Sequence, residues 1–343
     1  WLIHRGTAMV GNDVENRGQS DVPELEIKSN EDGSESKPEG QPRDWRPVRS
    51  PGGWIGIAAT LLALACSGGA WYYAIGHPIA IDSYIATVAG IAGLALAVVL
   101  AAFTHGFFTL SYRIENRGLI INWLWIRETV PLAAIEGLYG GHRLGKKVSV
   151  EGLTLPGYYV GRTKAEDIGR LSFYGTTNDS SSAIIVATAH RVYAITPQDL
   201  DGFRAHLIEL LEALPEDEIE RAPEPKTSMP ALLRLSMLRD SVAISFIALS
   251  VLVLLGSFGY VSYRFPELPE LMALHFNFAG EPDLIGPPMD AYRMPLIGLL
   301  ILGFNFVAAS YLHQRRRDTG RVLAAATLFI QIVMLMAVVR VVH

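Results

Sequence analysis

Five stretches of the chain are continuously apolar for about the length of a membrane span, and one long interval between them is not. The apolar stretches cover residues 54–75, 83–108, 241–263, 292–312 and 322–339. A hydrocarbon core of about 30 Å needs roughly 20 helical residues, so each stretch is predicted as a transmembrane helix. Residues 76–82 leave room only for a turn between the first two. Ala89, Gly90, Ala92, Gly93 and Ala97 crowd the first half of the second helix. Small side chains let helix backbones approach closely, so helices one and two are expected to form a tight hairpin.

The interval from residue 109 to 215 has a different period. Residues 110–115 and 119–126 read as strands around an Asn-Arg-Gly turn, rich in the β-branched and aromatic side chains that suit a pleated surface. Further short β-runs follow at 148–155, 170–174, 183–188 and 191–195. The interval closes on an amphipathic helix, with Leu200, Phe203, Leu207, Leu210, Leu211 and Leu214 on one stripe. Thr196 is the expected N-cap, Pro197 the first helical residue and Asp199 the capping-box acid. Several strands followed by one helix predict a small α+β domain, a curved sheet or barrel with the helix at one end.

The remaining segments are polar. Residues 1–50, with Asn30-Glu-Asp-Gly-Ser-Glu-Ser-Lys-Pro-Glu-Gly40 at their centre, bury too little apolar surface to offset chain entropy and are expected to be a disordered tail. Met9 fits a natural start. Residues 216–240 read as a charged, proline-broken linker, and residues 264–291 as a polar loop between helices three and four. The predicted organisation is therefore tail, helical hairpin (51–108), inserted domain (109–215), linker (216–240) and a three-helix membrane domain (241–343).

Composition narrows the function. Half of the 343 residues are hydrophobic and 18 % are charged, against about 25 % in ordinary soluble domains. The net charge of −5 offers no basic footprint for nucleic acid. The single cysteine, Cys66, excludes an intrachain disulfide and a cysteine-built zinc site. Arg43, Arg46 and Arg49 precede the first helix, and Arg315, Arg316, Arg317 and Arg321 lie between the fourth and fifth. Five spans place both clusters on one side, which the positive-inside rule makes cytoplasmic. The inserted domain would share that side, whereas loop 264–291, with Glu267, Glu270, Glu281, Asp283 and Asp290, and the C-terminus would face outward.

Several residue sets in the inserted domain resemble the bacterial pleckstrin-homology-like domains: Val130-Pro-Leu-Ala-Ala-Ile135, Leu155-Pro-Gly-Tyr-Tyr-Val-Gly161, Phe173-Tyr174 and Ile195-Thr-Pro-Gln-Asp-Leu-Asp-Gly-Phe203. The resemblance implies a binding or assembly module tied to membrane segments, without common catalytic residues. Within it, Gly140-Gly-His-Arg-Leu-Gly-Lys-Lys147 nearly spells a phosphate-binding loop. Lys147 stands where the magnesium-binding hydroxyl is needed, and a β-run follows instead of a helix. His142, Arg143, Lys146 and Lys147 instead form a basic loop suited to anionic headgroups, or simply a solvated turn.

The loop 264–291 carries the sharpest motif, Leu274-His-Phe-Asn-Phe-Ala-Gly-Glu-Pro-Asp283. With Leu268 and Pro269 it resembles a membrane domain of unknown function found in the Sdp-type toxin-immunity proteins. The matching residues are His275, Phe276, Asn277, Gly280, Pro282 and Asp283; Phe265 and Met272-Ala273 depart from the pattern. An imidazole oriented by a carboxylate is half of a metal or acid–base site. With no second histidine and only Glu270 well placed, the set is thin for a metal. The alternatives are that His275, Asn277 and Asp283 hydrogen-bond the loop's own backbone, or that the loop forms a peptide-binding surface. Asn305 and Gln331, deep in helices four and five, fit interhelical hydrogen bonding.

The expectation is an integral protein of the bacterial cytoplasmic membrane, without enzymatic activity, catalytic residues, cofactor or metal. It would act as a scaffold or sensor contacting lipids and a protein partner or a second copy of itself. The alternatives are an immunity protein against membrane-active peptides and an accessory subunit of a larger membrane complex.

Overall fold

The structure, a computed structural model, describes residues 3–4, 43–115, 118–145, 147–165, 168–215, 223–230, 235–277, 279 and 281–343. The segment expected to be disordered falls, up to residue 42, almost wholly outside the described residues. The helices are α1 Gly52–Gly76, α2 Ile81–Thr109, α3 Leu200–Glu212, α4 Ser241–Arg264, α5 Arg293–Arg315 and α6 Arg317–Val342. The chain divides into two compact units, residues 1–53 with 105–228, and residues 54–104 with 229–343.

The first unit is rich in sheet. One antiparallel sheet has the order β12-β5-β4-β3-β2, with β2 Arg43–Trp45, β3 Ser111–Glu115, β4 Gly118–Trp123, β5 Ile126–Pro131 and β12 Lys226–Ser228. Its two edge strands come from outside the interval 109–215: the expected tail supplies β2, and the expected linker supplies β12. The other sheet has the order β1-β6-β10-β11-β9-β8-β7. Its strands are β1 Ile3–His4, β6 Ile135–Gly140, β7 Glu151–Leu155, β8 Tyr158–Ala165, β9 Gly169–Gly175, β10 Ile184–Thr188 and β11 Val192–Ile195. Only β9 and β11 run parallel.

Alternation along the strands decides what lies between the sheets. Tyr112 and Ile114 of β3, Leu119 and Ile121 of β4, and Val130 of β5 point inward. They meet Tyr158 and Val160, Ile184 and Val186, and Tyr193 and Ile195 of the second sheet. The stripe Phe203, Leu207 and Leu211 of α3 joins this core. The opposite positions of the seven-stranded sheet, among them Phe173, Ile185 and Ala194, form a second small core with Leu144 and Val148.

The start of α3 differs from the sequence expectation. Asp199, not Thr196, is the N-cap, and its carboxylate accepts from the Gly202 N–H at 2.9 Å. Residues 196–198 stay extended because residues 46–48 pair with them. The Val48 N–H donates to the Thr196 carbonyl at 3.0 Å, and the Gln198 N–H donates to the Arg46 carbonyl at 2.8 Å. Thr196 is fully buried, and its hydroxyl accepts from the Thr176 N–H at 3.2 Å.

In the second unit, five helices, α1, α2 and α4 to α6, are long and apolar enough to cross a membrane. The α1–α2 hairpin closes on the expected small residues: Ser67 donates its hydroxyl to the Gly90 carbonyl at 2.7 Å. A Cβ added at Gly93 would sit 3.1 Å from the Ser67 Cβ. The Tyr84 hydroxyl of α2 donates to the Leu255 carbonyl of α4 at 2.6 Å. Gln331 of α6 donates its amide to the Gly298 carbonyl of α5 at 2.7 Å, which is the interhelical bond expected of it.

Two segments of this unit are more ordered than the sequence implied. The basic stretch between the fourth and fifth helices is helical apart from Arg316, because Gln and Arg are good helix formers and a buried acid draws Arg317 and Arg321 together. The expected polar loop is a β-hairpin, β13 Met272–Phe276 paired with β14 Pro282–Gly286.

Candidate functional site

The β13–β14 hairpin is anchored by alternate residues. Met272 and Leu274 are buried against Val261 of α4, Ala291, and Val338 and Val342 of α6. That phase turns His275 outward, where its Nδ1 lies 2.6 Å from Asp283 Oδ1 across the hairpin. Both side chains of the pair are open to solvent, at 62 % and 44 %. Asn277 holds the turn: its side-chain carbonyl accepts from the Ala279 and Glu281 N–H groups, each at 2.9 Å. Of the expected motif, Pro282 opens β14 and Phe276 closes β13, while Gly280 lies outside the described residues.

The two expected roles therefore separate. Asn277 binds the loop's backbone, whereas His275 and Asp283 bind each other. Beside them is a cleft of about 410 Å³ lined by Leu274, Leu284, Ala291, Met294, Ile297 and Val341, with His275–Asp283 and Asp290–Arg293 as its polar groups. Leu271, Leu284, Ile285 and Met289 stay exposed around it. Glu270 does not join the pair: among the described residues, no three His, Cys, Asp or Glu side chains converge as metal ligands.

A second polar cluster closes the opposite ends of the same three helices. Asp240, the N-cap of α4, is 2 % exposed. Its carboxylate accepts from His313 Nε2 at 3.0 Å, Arg317 Nε at 2.6 Å and Arg321 Nε at 3.0 Å, and from the Val242 N–H at 3.1 Å. The hydrogen bonds from Arg317, Arg321 and His313 hold its pKa far below the usual carboxylate range. Ser236 completes the cluster, 2.9 Å from His313 Nδ1. This cluster was missed in the sequence; the only local trace of it is the four-residue spacing of His313, Arg317 and Arg321.

In the sheet-rich unit, one end gathers most of the expected lipid-facing residues. Strand registers put Gly140, Tyr158, Gly175, Ile184 and Ile195 at the same end of the seven-stranded sheet. The chain leaves for α1 and returns from α2 at that end. Ser50 donates its hydroxyl to the Gly157 carbonyl, and Phe107 packs edge-on against Tyr158 with centroids 5.7 Å apart. Burial pushes the Tyr158 hydroxyl well above its ordinary pKa, and it accepts from the Trp123 indole N–H. His142 and Arg143 follow Gly140 in a short 3-10 turn, with Arg143 stacked 4.8 Å over the Tyr139 ring. Lys147 follows them, bridged through its backbone to Asp179, while Lys146 lies outside the described residues.

Elsewhere in this unit, Glu128 of β5 is buried and holds the linker strand. Its carboxylate accepts from Thr227 Oγ1 of β12 at 2.8 Å and from Arg191 at 3.4 Å. Tyr193 reaches it at 3.4 Å, its own pKa pushed up to about 12, first by burial.

Comparison with known families matches one segment in each unit. Residues 110–210 match the bacterial PH domain family, and residues 252–299 match a domain of unknown function, DUF1648. The first match spans the core strands and most of α3; the second runs from α4 through the hairpin into α5. No curated protein and no solved structure matches the chain. A bacterial PH domain match beside five helices of membrane-crossing length fits a membrane-associated protein of unknown role.

Proposed function

We propose that this protein is a non-enzymatic membrane scaffold or sensor. Its PH domain meets a protein partner or the lipid surface on the cytoplasmic side, and its β13–β14 hairpin meets an envelope component outside. The observation that carries this reading is the hairpin itself. A buried Met272–Leu274 face fixes it to the helices, while Leu271, Leu284 and Ile285 stay exposed around the His275–Asp283 pair. Exposed apolar side chains bordering a small polar centre suit recognition.

The cytoplasmic orientation rests on Arg43, Arg46 and Arg49 before α1 and on the Arg315–Arg321 cluster. In a Cys66→Ala background, Asn277→Cys should react with an impermeant thiol reagent in intact cells, and Asn178→Cys only after the membrane is opened. The reverse order would overturn the orientation. A photo-crosslinking side chain at Ile285 should capture an envelope component in cells; crosslinks only within the chain would argue against the hairpin as a recognition surface.

The second reading, an immunity protein against membrane-active peptides, extends the motif resemblance read in the sequence; the family matched there, DUF1648, has no known function. A deletion strain should then be hypersensitive to such peptides and rescued by the wild-type chain but not by a His275→Ala, Asp283→Ala double variant. The third, an accessory subunit, requires stable companions after purification in mild detergent.

A further inference from the structure

Among the described residues between 109 and 228, one large hydrophobic side chain is left exposed: Trp125, with 58 % of its surface open. Leu119 and Ile121 of β4 and Val130 of β5 are hidden in the core between the sheets. Trp125 stands at the tip of the β4–β5 hairpin, in the two-residue turn closed by the Trp123–Ile126 pair. The turn is a costly one. Leu124 has φ 55°, and it is the only non-glycine among the described residues in the left-handed region. That region is unfavourable for a bulky L residue, and such conformations persist where the surroundings enforce them.

What enforces this one is the end of α2. The Leu124 N–H donates to the hydroxyl of Thr109, the last residue of α2, at 3.0 Å. The Trp123 indole is tied to Tyr158, which packs on Phe107. The rings of Trp125 and His105 lie 6.2 Å apart, and Phe108 beside them is 60 % exposed. The tip is thus held level with the last turn of a helix of membrane-crossing length. Helices of this kind end in the headgroup layer, where tryptophan is favoured because its ring is apolar and its N–H polar.

We propose that Trp125 is an interfacial membrane anchor: its indole lies in the headgroup layer beside Phe108 and fixes the height and tilt of the PH domain over the bilayer. The partner is the lipid interface itself, read through an aromatic ring rather than through charge, and so distinct from the basic turn at His142 and Arg143. The proposal rests on α2 crossing the membrane, and the test keeps the two apart.

The full chain, with Cys66→Ala, would carry one nitroxide label in vesicles of phosphatidylcholine alone or mixed with phosphatidylglycerol. Accessibility to oxygen, which favours lipid, is compared with accessibility to a water-soluble nickel chelate. A label at Val98→Cys, exposed on α2, should be lipid-like. One at Arg170→Cys, at the far end of the domain, should be aqueous. A label at Arg127→Cys, two residues from the intact tip, should give an oxygen-to-nickel ratio severalfold above that at residue 170, in both vesicle types. Adding Trp125→Ser should lower that ratio toward the aqueous value, whereas Trp125→Phe should keep most of it. A ratio at residue 127 equal to that at 170, or unchanged by Trp125→Ser, overturns the anchor. A label at Trp125→Cys shielded from both reagents overturns it too, since protein would then cover the tip. An aqueous signal at residue 98 removes the spanning helix, and the anchor with it.

Discussion

Deleting residues 43–50 should cost the sheet-rich unit most of its stability, although these residues precede the α1–α2 hairpin and the PH domain match. Trp45 is 5 % exposed and meets Phe203 of α3 edge-on, ring centroids 5.4 Å apart. Removing a buried tryptophan side chain costs about 3–5 kcal/mol. Its indole nitrogen is buried without a partner, which favours the lower part of that range. Besides the β2–β3 pairing and the Ser50 bond to Gly157, three hydrogen bonds to residues 176–198 go with the segment: Val48 to Thr196, Gln198 to Arg46 and Thr176 to Val48. Each is worth roughly 1 kcal/mol net. The exposed Asp44–Arg113 ion pair adds little. Trp45 and these three bonds alone come to about 6–8 kcal/mol, against a total of about 5–15 kcal/mol for a typical domain.

The assay is urea unfolding followed by circular dichroism on two soluble chains. One holds residues 109–228. The other joins residues 43–53 to 105–228 through a short Gly/Ser linker, which suffices because a Cβ at Gly53 would sit 2.7 Å from the Phe107 ring. The joined chain should unfold cooperatively, and Trp45→Ala within it should lower its stability by about 3–5 kcal/mol. The shorter chain should show no cooperative transition, or one at a much lower urea midpoint. If residues 109–228 alone unfold cooperatively within about 1 kcal/mol of the joined chain, the reasoning fails.

Three further outcomes are expected. Asp240→Asn should lower the melting temperature of the full chain in detergent, because Arg317 and Arg321 then lose their buried counter-charge and, among the described residues, keep only the exposed Asp318 beside them; the gap to wild type should persist at pH 5. Because the folded carboxylate has a depressed pKa, its contribution is complete above its ordinary value of 3.8 and is lost only as the pH falls through the depressed one. His275→Ala and Asp283→Ala should each melt close to wild type, with a coupling energy of about 0.2–1 kcal/mol, since both side chains are largely open to solvent; a coupling above that range would make the pair a structural tie. Thr227→Ala should speed hydrogen exchange at residues 226–228 by loosening β12 from Glu128, and unchanged protection there would show that the backbone pairing alone holds the strand.

The elements visible in the sequence were those whose cause is local. The five long helices follow from composition within a window of about 20 residues, and the α1–α2 seam follows from small residues spaced along one helix. Strands β3, β4, β7 and β9 to β11 were visible as short β-runs, whereas Gly161, Arg162 and Lys164 hid β8. Strands β5 and β6 were not visible either: Arg127, Glu128 and Thr129 blur the alternation in one, and Gly137 and Gly140 weaken the other. Both exist because neighbours on either side pair with them. The capping motif misled for a related reason, since residues 46–48 hold residues 196–198 extended and delay the helix to Asp199.

The sequence by itself therefore determined how many apolar helices there are, that a small sheet-rich domain interrupts them, and which residues form the hairpin motif. All of that is written in periodicity and short-range chemistry. Tertiary structure alone decided that Trp45 belongs to the domain's core, that Asp240 meets His313 from 73 positions away, and that His275 and Asp283 face outward as a pair. Such contacts depend on which surfaces the chain closes against each other. That choice is made by the burial of distant side chains together, and it leaves no trace in the local pattern of any one of them.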